Sequence, residues 1–161
     1  MNELGWSAPS HRVDAGTATR GVLWQHQEIR TLLEKARQVA ALALDGTPPS
    51  DDAVASAIGD VRATIEVHLA FEEKVLVPIL RDDLPVGPER ADRLLEEHRG
   101  QRETLAALHK EALSHPQLPL LAAKLAFLAS WLLADMAEEE ECLLIPEVIR
   151  DDHVVIDQSG G

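Results

Sequence analysis

The chain is poor in aromatic residues, lacks tyrosine altogether and has a single cysteine. With aromatics at 3%, the core has to be filled by aliphatic side chains, and one dominated by Leu and Ala is usually helical. Because Cys142 stands alone, no internal disulfide and no thiolate metal cluster can form. Basic residues are outnumbered, 15 Lys and Arg against 28 Asp and Glu, for a net charge of -13. Such a balance argues against a nucleic-acid partner or an anionic membrane surface. No uncharged apolar stretch reaches the roughly 18 residues of a membrane span, so none is expected. The opening MNELGWSAPSHRVDAG carries no basic segment followed by an apolar run. A secretory leader is therefore not expected, and a cytoplasmic protein is.

What is present is a chain of 161 residues with 45% hydrophobic content, enough for one domain with a full core. Residues 1–17, rich in Gly, Ser, Pro and charge, read as an arm, and 151–161 as a tail. Between them, 18–150 divide into four amphipathic segments. The first is expected from a cap at Thr17 or Thr19 to about Leu44, where DGTPPS breaks it. SDD at 50–52 caps the second, and Pro88 suits the first turn of the third, which runs to about Leu113. The fourth is expected from Leu118 to about Ile149. Long helices with short connections predict an all-α, up-down-up-down antiparallel four-helix bundle.

The halves resemble each other. HLAFEEKVLVP at 68–78 aligns without a gap on MAEEEECLLIP at 136–146, placing Glu72 on Glu140, Pro78 on Pro146 and His68 on Met136. The first and third segments share H-x3-R-x2-L, as His26, Arg30, Leu33 and His98, Arg102, Leu105. Two helical hairpins related by a twofold axis are predicted.

Polar residues on the inner stripes carry the functional signal. His26, His68, Glu72, His98 and Glu140 all fall on faces that should be apolar. At about 1.5 Å per residue, each helix brings one of them to a level about 12–15 Å from one end of the bundle. Ionised carboxylates buried there need a partner, and a cation held by imidazole nitrogens and carboxylate oxygens would provide it. His68 and Glu72, one helical turn apart, form a chelating pair, and glutamates can bridge two metals. The metal-free alternative is a salt-bridge network in which Arg30 and Arg102 neutralise Glu72 and Glu140.

With LWQHQEI around His26, HLAFEEKVLVP, EEH ending at His98 and EEECLLIP, the chain resembles the hemerythrin HHE cation-binding family over about residues 18–150. That resemblance implies a four-helix bundle around a non-haem di-iron site that binds or activates dioxygen, or handles peroxide or nitric oxide. It departs from the family in two places. The third helix offers Arg102 where the oxygen carriers have a second histidine, and Met136 stands where the family's fourth helix has one. A thioether is a soft ligand, poorly suited to iron among oxygen donors. Glu139, flanking the stripe one turn on, is the candidate replacement, with Glu72 and Glu140 bridging. If nothing replaces the histidine, a single iron on His26, His68 and Glu72 remains, the ligand set of mononuclear oxygenases. Manganese suits the same donors. Glu138 and Glu141 are expected to face solvent, Glu73 to lie outside or behind the ligands, and Trp24 and Trp131 to pack. Function is thus expected to be dioxygen chemistry at iron, with two alternatives. One is an oxidase or oxygenase of a small organic substrate, and the other a metal-free helical interaction module.

Overall fold

The computed structural model describes residues 14–46, 51–82, 86–114, 117–146 and 148–149. Four helices follow in order: α1 (Ala15–Leu44), α2 (Asp51–Asp82), α3 (Gly87–Ala112) and α4 (Leu118–Cys142). No strand occurs among the described residues. The close helix pairs are α1–α2, α2–α3 and α1–α4, as in an antiparallel four-helix bundle; of the neighbouring pairs α3–α4 packs least closely, and the diagonal pair α1–α3 lies farther apart still. By length and composition α4 could cross a membrane; here its Leu121, Leu125, Leu128 and Leu132 are buried in the bundle.

Local chemistry accounts for the ends. Asp14 caps α1 rather than Thr17 or Thr19: its carboxylate accepts the Thr17 amide at 2.8 Å, satisfying an orphan donor of the first turn. Gly46, at φ 72°, lies just past the other end, where a left-handed residue lets the chain leave. Pro88 sits in the first turn of α3 as expected. The SDD cap falls partly outside the described residues, as do His11, His115, His153 and the tail from 150.

The fourth helix ends at Cys142, well short of Ile149. Its last turn closes when the amides of Leu143 and Leu144 both donate to the Glu139 carbonyl, at 2.9 and 2.8 Å. Pro146 has no N–H with which to resume a helix. Beyond it, Val148 and Ile149 turn back through amides donating to Ile145 O and bury themselves again. In α2, by contrast, Pro78 lies inside the helix, which runs on to Asp82.

Two aliphatic clusters form the core. The larger gathers Ile29, Leu33, Ile58, Ile65, Leu105, Leu125, Leu132 and Met136, while the smaller gathers Val22, Leu76, Leu80, Leu94, Leu144 and Ile149. On α3 Leu94 is buried, whereas its neighbour Leu95 is only half-buried. Between the clusters lies a polar layer containing His26, His68, Glu72 and His98. The larger cluster carries most of the apolar burial. Leu33→Ala, at a site with 0% exposure, should cost about 2–5 kcal/mol in urea unfolding, whereas Phe127→Ala, at 75% exposure, should change stability by less than about 0.5 kcal/mol.

Candidate metal centre

The layer is organised around one carboxylate. Glu72 of α2 is fully buried, and its two oxygens face different helices. Glu72 Oε1 lies 3.4 Å from His68 Nε2 and 3.6 Å from His26 Nε2. Glu72 Oε2 lies 3.2 Å from His98 Nε2. A second carboxylate enters from α4: Glu139 Oε2 is 3.4 Å from His26 Nε2. Ligand atoms of His26, His68, Glu72 and Glu139 all lie within 4.8 Å of one another, a group compact enough to surround a cation. The rings of His26 and His68 meet edge-on at 4.9 Å, so α1 and α2 present a pair of imidazoles on one side, with His98 on the other.

Each imidazole is held from behind. His26 Nδ1 is 2.7 Å from Glu140 Oε1, His98 Nδ1 is 3.1 Å from Glu73 Oε1, and His68 Nδ1 is 2.9 Å from Gln25 Oε1. Those oxygens only accept, so Nδ1–H donates and Nε2 is turned inward in all three rings. Two of the supports are themselves braced. Arg30 donates to both oxygens of Glu140 at 2.8 Å, and Arg102 donates to Glu73 at 2.6 Å and to Glu66 at 3.0 Å. Outer carboxylates of this kind fix ring orientation and raise ligand basicity in metal sites.

Four inward atoms lack hydrogen-bond partners: His26 Nε2, His98 Nε2 and both oxygens of Glu72. Distances of 3.2–3.6 Å bring the charges together, but without the alignment of a hydrogen bond. Each buried polar atom left in this way costs about 1–3 kcal/mol. The charges partly compensate. Burial would depress His26, but Glu139, Glu72 and Glu140 outweigh it and push its pKa up to about 10. His98 is also raised against its burial, through Glu72 and Glu73. His68, where burial dominates, falls to about 4. Burial would raise Glu72, yet the facing His26 and His98 hold it below the usual carboxylate range. Burial pushes Glu139 up to about 7. A divalent cation would take the place of the protons that now neutralise this layer.

The arginines do not do so. Arg30 pairs with Glu140 and Arg102 with Glu73, both at the rim, and among the described residues no Arg or Lys forms an ion pair with Glu72. The expected salt-bridge network therefore exists around the centre rather than inside it.

On α4 the register differs from the sequence alignment by one residue. Glu139, its side chain 12% exposed, points into the layer, while Glu140, at 27%, stands behind His26. Glu139 is thus the spatial counterpart of Glu72, and Glu140 of Glu73. By the same shift Asp135, not Met136, holds the position on α4 that corresponds to His68, one turn before the inward glutamate. Met136 is buried in the larger aliphatic cluster, whereas Asp135 accepts a hydrogen bond from Gln101 Nε2 at 2.5 Å. Asp135 and Gln101 were not singled out in the sequence, although D-x3-E at 135–139 repeats the spacing of H-x3-E at 68–72. Gln25 was overlooked too, and its place beside His26 was the available signal.

Other expectations sort simply. Glu138 and Glu141 are exposed, Cys142 is an exposed free thiol, and His109 lies down α3 against Gly59 of α2. Trp24 is 66% exposed and so does not pack as expected, and Trp131 is also at the surface. A cleft of about 140 Å³ opens between α3 and α4, where the bundle is loosest. Arg90 and Arg93 line it along with Asp135 and Glu139. It is thus a path from solvent to the carboxylate side of the layer.

Comparison with known proteins agrees with this geometry. The family model for the hemerythrin HHE cation binding domain matches residues 18–148, most of the chain. No curated protein and no solved structure matches it.

Orphaned ligand atoms make cation binding a stability effect. Adding ferrous or manganous ion at about a hundredfold over its Kd should raise Tm by about 5–10 °C, and a chelator should reverse the shift, as followed by thermal unfolding. No shift would mean that the layer takes up no cation.

Proposed function

The chain belongs to the hemerythrin HHE cation-binding family, and on that footing we propose that it is a non-haem iron protein that binds or activates dioxygen at a dinuclear centre. The observation that carries this reading is the division of Glu72, with Oε1 towards His26 and His68 and Oε2 towards His98. A carboxylate placed in this way would bridge two cations, one on each side. Glu139 would bridge from α4. His26 and His68 would serve the first position and His98 the second, each through Nε2. Glu140, Glu73 and Gln25 would orient the rings rather than bind metal.

Ferrous ions held there would supply the electrons that dioxygen chemistry requires. The protein's part is to hold the imidazoles in one tautomer, to exclude bulk water with the aliphatic clusters on either side, and to admit a small molecule through the α3–α4 cleft. Because that cleft reaches the carboxylates, exogenous dioxygen, peroxide or nitric oxide has a route to the centre. Manganese would fit the same nitrogen and oxygen donors; membership of the hemerythrin family is what favours iron in this proposal.

Anaerobic reconstitution with ferrous ion should load about two irons per chain. Admitting oxygen should then produce near-ultraviolet charge-transfer absorption, and neither the metal-free protein nor Glu72→Ala should show it. Loading without any response to oxygen or nitric oxide would refute the dioxygen reading.

The orienting role of the outer carboxylates has a separate signature. Glu140→Ala and Glu73→Ala should each weaken iron binding by about 10–100-fold while the number bound at saturation stays at about two. A drop in that number for Glu140→Ala, measured by titration against a competing chelator, would make Glu140 a ligand instead.

A further inference from the structure

We infer that Asp135 completes the second metal position, as a carboxylate ligand occupying the place on α4 that corresponds to His68 on α2. The inference rests on the dinuclear reading above and assigns a residue outside that ligand set.

The first ground is symmetry. Glu72 is followed by Glu73, which supports His98 and pairs with Arg102. Glu139 is followed by Glu140, which supports His26 and pairs with Arg30. Exchanging the two hairpins therefore carries Glu72 onto Glu139 and Glu73 onto Glu140. It also carries the residue one turn before Glu72, His68, onto the residue one turn before Glu139, Asp135. At that spacing both side chains of each pair share one helix face.

The second ground is how the two residues are held. A glutamine from the preceding helix secures each: Gln25 of α1 for His68, and Gln101 of α3 for Asp135. The polarity is reversed to suit the residue. Gln25 presents its oxygen to an imidazole N–H, whereas Gln101, only 3% exposed, donates its amide N–H to Asp135 Oδ2 at 2.5 Å. On His68 the bond leaves Nε2 facing Glu72, and on Asp135 it engages only Oδ2, so the second oxygen, Oδ1, is the one the assignment gives to the cation. Orienting contacts behind a ligand are a regular feature of metal sites.

The two positions would then differ. His26 and His68 make the first rich in nitrogen, while His98 and Asp135 make the second richer in carboxylate, a harder donor set. Asp135 and Glu139 both line the α3–α4 cleft, so the second position is the one a small molecule entering from solvent would meet. Met136, packed among aliphatic side chains one residue away, has no part in it.

Metal content after anaerobic ferrous reconstitution tests this on the wild type, Asp135→Asn, Asp135→His and Met136→His, with circular dichroism of each metal-free protein as the folding control. About two irons in the wild type should fall to about one in Asp135→Asn. Asp135→His should restore about two, with a shifted absorption spectrum, while Met136→His should give the wild-type spectrum. Two irons in folded Asp135→Asn, bound as tightly as in the wild type, would overturn the assignment and leave Asp135 as a structural partner of Gln101. If Asp135→Asn does not fold, Asp135→His decides, since a spectrum identical to wild type overturns the assignment equally. No iron in the wild type would remove the dinuclear reading itself, and this one with it.

Discussion

A carboxylate with no hydrogen-bond partner, at the centre of four packed helices, is the constraint around which this bundle is built. Glu72 has 0% exposure, and its charge is met by imidazoles alone. Removing a carboxylate from water is costly, and its neighbours have to make good the loss. Three helices contribute a histidine whose inner nitrogen faces it, and the fourth adds another carboxylate, which deepens the need for positive charge. Protons can meet that need in part, and a cation would meet it better.

The rest of the architecture follows from that layer. It divides the aliphatic core into two clusters, so neither end of the bundle is held together by the centre itself. Arginines that might have neutralised Glu72 are kept at the rim, where Arg30 and Arg102 brace the carboxylates behind the imidazoles. The end of α4 serves the same purpose. Its last turn closes on the backbone carbonyl of Glu139, so the residue that ends the helix also sends its side chain into the layer. A loose α3–α4 contact, which would be a weakness in a purely structural bundle, opens a route to the layer's carboxylates.

Much of this was legible in the sequence because helical periodicity is a strong signal. His26, His68, Glu72 and His98 interrupt apolar stripes on long segments, and the structure buries all four. On α4 the alignment misplaced the register for a physical reason. The match between Leu76–Pro78 and Leu144–Pro146 anchored the repeat, yet the first run is helical and the second lies past the helix end. A segment outside a helix cannot fix which side chains face inward. Glu140 therefore took the inner place of Glu139, and Met136 stood where Asp135 belongs. The glutamines behind His68 and Asp135 leave no periodic trace, since only the fold brings them across from another helix. The cap at Asp14 was missed because Thr17 and Thr19 are equally good capping residue types by composition alone.

The most direct measurement is an anomalous difference map, recorded at the iron absorption edge from crystals of the protein loaded anaerobically with ferrous ion. A pair of peaks is expected, one between Glu72 Oε1 and the inner nitrogens of His26 and His68, the other between Glu72 Oε2 and His98. Peaks confined to the acidic surface, or none, would contradict the reading of this layer as a metal centre.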